Sequence, residues 1–350
     1  MRKILENVVI IRLILIVLLV MFHAFAIYNG AWEMPSGITT VKAYYFIASL
    51  SYSFMLETFV FIAGYVLGYQ TRVKYSSVLP IKSCLLRKAK RLLIPSVLFS
   101  LLYILCFRDI SEYSVLDYIY HVVNGVGHMW FLPMLFLCFI FICITEKMKL
   151  SPQLVVIFAV IASLFSIGPL GNLPIRFSLA MYYFIYFAIG FYIQKYELAI
   201  ERFVTFRNIS LTFVSYTILF LLYHYVMDRN NAMNPNELGF STRALCALLE
   251  RVLKILQAFF GLITTSFLVD YLLKGDKIKP SRLMVRLSRY CFGVYIFQQF
   301  ILMWCVKSPV IVNSLGSYAF PWVAFVVALV LSLLCTHVLL QTKIGRFLVG

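Results

Sequence analysis

The stretch Val8-Val-Ile-Ile-Arg12-Leu-Ile-Leu-Ile-Val-Leu-Leu-Val-Met-Phe-His23-Ala-Phe-Ala-Ile-Tyr28 decides the class of this protein. It is long and apolar enough to cross a bilayer as one helix, yet it carries an arginine and a histidine. The two lie eleven positions apart, which at roughly 3.6 residues per turn is about three turns, so both side chains share one face. At about 1.5 Å per residue they stand about 16 Å apart in depth. Polar groups placed this way are expensive in lipid and poor at packing, so the stripe is a candidate functional feature.

The rest of the chain fits the same setting. Of the 350 residues, 62% are hydrophobic, 17% aromatic and only 13% charged, and the mean hydropathy is +0.91. A soluble domain holds roughly 45–50% apolar residues. Apolar runs suggest ten spans, at about 8–28, 43–69, 92–107, 129–146, 153–167, 176–194, 209–227, 252–273, 290–307 and 322–341. Short connections and the lack of any soluble insert predict an all-α bundle of about ten transmembrane helices forming one domain over 1–350. The N-terminus has the look of a signal peptide, with Arg2, Lys3 and Ala24-Phe25-Ala26. Arg12 inside the apolar run and the spans that follow argue for retention of this segment.

The net charge of +17 does not point to nucleic acid, because the basic residues sit in short loops between spans. With a cytoplasmic N-terminus, 22 of the 31 lysines and arginines fall on the inner side, which predicts both termini inside. The outer loops are then 29–42 with Trp32 and Glu33, 108–128 with Asp109, Glu112, Asp117, His121 and His128, and the amide-rich 228–251. Loops of that kind suit a polyhydroxylated acceptor, although solvation alone also accounts for them. The eight cysteines lie in or beside apolar runs, with neither a CxxC pair nor a Cys/His pair at metal spacing, so neither disulfides nor a metal is expected.

Within this frame Arg12 lies near the inner face and His23 near the outer one. Arg12 either snorkels or positions a ligand. His23 suits a general base, since imidazole accepts a hydroxyl proton near neutrality. Glu57 in the second span needs a partner or a proton, and its depth favours an ion pair with Arg12 over a dyad with His23. Arg87-Lys88-Ala-Lys-Arg91 opens the third span. Besides marking topology, its i,i+4 arginines present two guanidinium groups on one face, suited to the phosphates of a nucleotide-bearing donor. His128 and Trp130 begin the fourth span, Trp130 as an interfacial anchor and both as candidates for binding an acceptor. Gln298 and Gln299 put two amides inside the ninth span, either as interhelical bonds or as the lining of a substrate cavity.

Taken in order, these pieces resemble the acyltransferase-3 family of integral membrane acyltransferases. Arg12 and His23 match its Arg-x10-His signature on the first helix. Phe59-Val-Phe-Ile-Ala-Gly-Tyr65 is similar to its Phe-Phe-x-x-Ser-Gly-Tyr stretch, with Ala63 in the serine's place. Arg87-x3-Arg91-x3-Pro95, Trp130-Phe-Leu132 and Phe292-Gly-Val-Tyr295 resemble later landmarks. The resemblance implies transfer of an acyl group, usually acetyl from acetyl-CoA, to a hydroxyl of a surface glycan or its lipid-linked precursor, in a bacterial cytoplasmic membrane. It implies His23 as the catalytic residue, with Arg12, Arg87, Lys88 and Arg91 holding the donor. Two departures stand out: Gln298 and Gln299 lie where a histidine is common, and Glu57 replaces a small residue or proline. A transporter or flippase using Arg12, Glu57 and His23 as an intramembrane polar pathway is the alternative from another class.

Overall fold

The computed structural model describes residues 5–108, 114–166, 173, 175–233, 239–275 and 277–350. Arg2, Lys3, Asp109 and Glu112 lie outside the described residues. All regular structure among the described residues is helical. The helices are α1 (Glu6–Phe25), α2 (Lys42–Tyr52), α3 (Met55–Lys74), α4 (Ile81–Phe107), α5 (Val115–Asn124), α6 (Phe131–Lys147) and α7 (Pro152–Phe165). They continue with α8 (Phe177–Lys195), α9 (Phe206–Ala232), α10 (Phe240–Lys274), α11 (Arg282–Lys307), α12 (Pro309–Gln341) and α13 (Lys343–Val349). Among the described residues, α2 with α3 and eight further helices give nine segments long and apolar enough to cross a membrane. The shorter α7 is a tenth apolar helix. Each expected span therefore has a helix, with α7 the only one of 14 residues.

The chain forms two compact units. One comprises Met1–Met55, Ile94–Met129 and Asp276–Gly350, and holds α1, α2, the second half of α4, α5 and α11–α13. In it α1 packs against α2, α11 and α12, and α11 packs against α12. Gly293 lets the last two approach closely, since a Cβ there would run into the Thr336 side chain. Two-thirds of α1's spanning window is buried (67%), against 22% in α12. The helix carrying Arg12 and His23 is thus the central one, while α12 shows most of its apolar surface outward. Cys291 Sγ on α11 lies 3.7 Å from the Arg12 carbonyl, and Gln298 further along α11 meets His23. The numbering rises together on both helices, so α1 and α11 run parallel.

The other unit comprises Leu56–Leu93 and Trp130–Gly275 and holds α3, the first half of α4 and α6–α10. Here α8 packs on α6 and α7, and α10 on α9 and α7. A Cβ at Gly64 or Gly68 would strike the carbonyl oxygen of Phe187 or Phe191, and one at Gly190 that of Phe61. These glycines bring α3 and α8 into backbone contact, the small-xxx-small device of membrane helices. At one end the Lys195–Glu146 ion pair and an Arg72–Glu197 pair at 2.6 Å close the unit.

The expected second span, 43–69, is two helices rather than one, broken at Ser53 and Phe54. No proline or glycine marks this break. Ser53 meets it locally, its hydroxyl donating to the Leu50 carbonyl at 2.8 Å. The break also places Glu57 in the first turn of α3, where unbonded N–H groups and the helix dipole favour a carboxylate.

Candidate active site

His23 lies in the last turn of α1 and is 9% exposed. Its Nδ1 is 3.1 Å from Oε1 of Gln298. The Gln298 amide nitrogen donates back to the Tyr295 carbonyl at 3.5 Å, which turns the amide oxygen towards the histidine. An amide oxygen only accepts, so Nδ1 carries a proton, and in the neutral ring Nε2 then keeps its lone pair. Trp32, from the loop after α1, stacks on the ring at 5.6 Å and 14°. Its backbone N–H donates to the Ala26 carbonyl at 3.2 Å, which ties the loop back over the helix end.

A second imidazole stands beside the first, with the His128 ring 6.2 Å from that of His23. His128 sits in a short 3-10 turn that Gly127 enters with φ +57. A Cβ on Gly127 would also crowd Gln299 and Tyr103. Two bonds lock this turn to α11: His128 Nε2 donates to the Ile296 carbonyl at 3.0 Å, and the Tyr295 hydroxyl donates to the His128 carbonyl at 2.6 Å. With its proton on Nε2, His128 has an accepting Nδ1. That atom is buried with no hydrogen-bond partner among the described residues. Gln299 stands on the same side and reaches the Tyr103 hydroxyl at 3.5 Å. The first unit therefore collects two imidazoles that each donate one ring N–H to α11, so that in the neutral ring each keeps a lone pair on its other nitrogen. Such a pair can take a proton from a hydroxyl and hold that hydroxyl in place.

Arg12, half-buried on α1, is in the same unit, and its charge reaches Cys291. Glu57 and Trp130 belong to the other unit. Glu57 is 2% exposed. It accepts from the Tyr182 hydroxyl at 2.9 Å and is reached by the charge of Lys254 and by its own backbone N–H. Arg251 and Lys254 lie over the Tyr182 ring at 4.7 and 5.4 Å, and Arg251 donates to the Ser166 carbonyl at 2.8 Å. Glu57 thus has its partners on α8 and α10, which the spacing argument for Arg12 did not anticipate. A Tyr182 four residues before Tyr186, opposite basic residues at 251 and 254, was the available signal. Trp130 packs near Tyr183, with ring centroids 6.3 Å apart.

The basic run of α4 is in this second unit as well. Arg87 is exposed, donates to the Tyr75 hydroxyl at 2.9 Å and lies over its ring. Lys88 stands 4.3 Å above the Phe139 ring, and Arg91 is exposed one turn further on. The i,i+4 arginines therefore keep one common face, held at one end by Tyr75.

A family model described as an acyltransferase domain matches residues 6–340. No curated protein and no solved structure matches the chain.

Proposed function

The chain belongs to the acyltransferase-3 family, and from that premise we propose that it moves an acetyl group from acetyl-CoA to a hydroxyl of a cell-surface polysaccharide or its lipid-linked precursor. The observation that carries the reading is the His23–Gln298 bond, which commits Nδ1 as donor and leaves Nε2 as a base. In the proposed reaction Nε2 takes the proton of the acceptor hydroxyl while the oxygen attacks the thioester carbonyl carbon. The tetrahedral intermediate collapses, the carbon–sulfur bond breaks, and the imidazolium returns its proton to the departing thiolate. The products are the O-acetyl ester and free CoA. His128 Nδ1 is suited to accept from the same or a neighbouring hydroxyl and so orient it. Transfer through an acyl-His23 intermediate uses the same nitrogen and is separated from direct transfer by trapping labelled protein in the absence of acceptor.

Arg87, Lys88 and Arg91 are assigned the donor's phosphates, because guanidinium groups bind phosphate oxygens bidentately. Arg12 is assigned a positioning role. The membrane is taken to be the bacterial cytoplasmic membrane, with both termini inside. Two observations support that orientation: the lysine and arginine asymmetry of the loops, and the parallel pairing of α1 with α11. The flippase reading, with Arg12, Glu57 and His23 as an intramembrane polar pathway, is the alternative, and an acetyl-transfer assay separates it from the enzyme.

The test is transfer of labelled acetyl from acetyl-CoA to cell-envelope glycan by purified protein. His23→Ala is expected to remove transfer while leaving expression and membrane insertion intact. Wild-type transfer by that variant would discard the assignment.

A further inference from the structure

When His23 takes the proton of a hydroxyl its ring becomes a buried cation, and what surrounds it decides what that charge costs. Among the described residues its neighbours are Gln298 on α11, His128 in the 3-10 turn, Phe22 beside it on α1, and Trp32. Gln298 carries no charge, and His128 can carry only a positive one. Tyr52 on α2 meets the site through Phe22, and Tyr295 meets it through His128. The three helices packed on α1, namely α2, α11 and α12, contain no aspartate or glutamate. On α1 itself Glu6 lies at the opposite end. Glu33, next to Trp32, is exposed. Within the first unit an imidazolium at 23 is therefore met by dipoles and ring faces, not by a carboxylate.

Of those rings Phe22 is tilted by 51°, whereas Trp32 lies nearly parallel to the imidazole, at 5.6 Å and 14°. That separation is within the roughly 6 Å over which a ring face attracts a cation, and indole has the strongest face of the aromatic side chains. The loop is built to keep the indole there. It turns at Gly30, with φ +78, and the Asn29 side chain accepts from the Ala31 backbone N–H at 3.2 Å. Further out, both arms are tied to one residue of α12. The Tyr28 hydroxyl donates to the Ser317 carbonyl, and the Thr39 backbone N–H donates to the Ser317 hydroxyl at 2.8 Å. Ser317 follows Gly316, whose φ of +61 interrupts α12. Ala31 and Glu33 are exposed while Trp32 between them is half-buried, so the indole is the part of this stretch that turns inward.

We infer that Trp32 is a positioning residue of the reaction, its indole face holding the positive charge that His23 acquires with the hydroxyl proton. Its effect on rate rests on the acyl-transfer reading, whereas the charge on His23 is read without turnover. The face acts only as the proton moves, so it stabilises the transition state more than the bound substrates. Its loss falls on kcat and spares KM.

The experiment replaces Trp32 in the full-length protein by mono-, di-, tri- and tetrafluorotryptophan, which keep the shape of indole and weaken its face stepwise. Over the series kcat for acetyl transfer is expected to fall about 3- to 10-fold, with KM for donor and acceptor within about twofold. The same replacements at Trp304, 60% exposed on α11, are expected to leave kcat unchanged. Trp32→Phe is expected to keep part of the rate, and Trp32→Leu to fall as far as tetrafluorotryptophan. In detergent, NMR of ring-labelled histidine follows the pH at which His23 gains its second proton, the signal being assigned by its absence from His23→Ala. That midpoint is expected to drop by about one unit from tryptophan to tetrafluorotryptophan. An unchanged midpoint overturns the charge contact, and an unchanged kcat beside a falling midpoint overturns its part in the reaction. Transfer by His23→Ala would instead discard the general base, and the midpoint series would still decide whether Trp32 holds charge on His23.

Discussion

With its oxygen turned to His23 and its nitrogen turned back to Tyr295, Gln298 sets the histidine's tautomer without adding charge. A neutral partner fixes direction but does not neutralise an imidazolium as a carboxylate would. Gln298→Leu keeps the volume and removes the acceptor. Steady-state acetylation is expected to show kcat lowered by about 10- to 100-fold, less than a general base as a whole contributes. KM for the donor should stay within about twofold, because the change falls on proton transfer and not on donor binding. Glu57 poses a different residue-scale problem, since burial makes its removal a matter of stability. Taking away the carboxylate strands the Tyr182 hydroxyl and removes the charge that reaches Lys254. Leaving a buried hydroxyl without its acceptor costs about 1–3 kcal/mol. Glu57→Leu should therefore lower the melting temperature in detergent far more than Glu57→Gln, which still accepts from Tyr182. Adding Lys254→Met to Glu57→Leu should restore part of the loss, and the absence of any recovery would show that Lys254 is not the counter-charge.

At the scale of elements, the contact of α3 with α8 rests on Gly64, Gly68 and Gly190. One methyl at Gly64 must push α8 away or bend α3, and overpacking of this kind costs about 1–3 kcal/mol. Gly64→Ala is expected to lower the melting temperature measurably. Gly239→Ala, where a Cβ meets open space, should stay within about 0.5 kcal/mol of wild type. Gly64 and Gly68 stand four apart in the sequence, but nothing there shows a contact with a helix more than a hundred residues away. The spans were legible because twenty apolar residues in a row have few other homes. The break after Tyr52 was not, since Ser-Phe between apolar neighbours carries no stop signal and hydropathy runs straight through it. Hydropathy was equally silent on which helix is central: α1 and α12 are both apolar, and only Arg12 and His23 mark α1 as the one that is buried. Of the candidate site, His23, His128 and Gln298 were legible as polar groups in apolar surroundings. Trp32 and Tyr295 were not, because aromatic residues at a membrane edge have an ordinary reason to be there.

At the scale of the whole molecule, the parallel course of α1 and α11 constrains the path of the chain. Two parallel spans have an odd number of crossings between them. The segments long enough to cross between α1 and α11 are α2 with α3, α4, α6, α8, α9 and α10, which is an even number. The crossing that makes the count odd is α7, although its 14 residues extend only about 21 Å. A helix that short spans by thinning the bilayer locally. Topology reporters placed after Lys149 and at Gly350 are therefore expected to report the same side as the N-terminus, and one placed at Leu173 the opposite side. A phosphatase active only outside, paired with a fluorescent protein that matures only inside, reads each position twice. Should Leu173 report the same side as Lys149, α7 does not cross. The registers Arg12–Cys291 and His23–Gln298 would then have to be formed by helices running in opposite directions. They cannot be, because each step up α1 would have to be met by a step down α11.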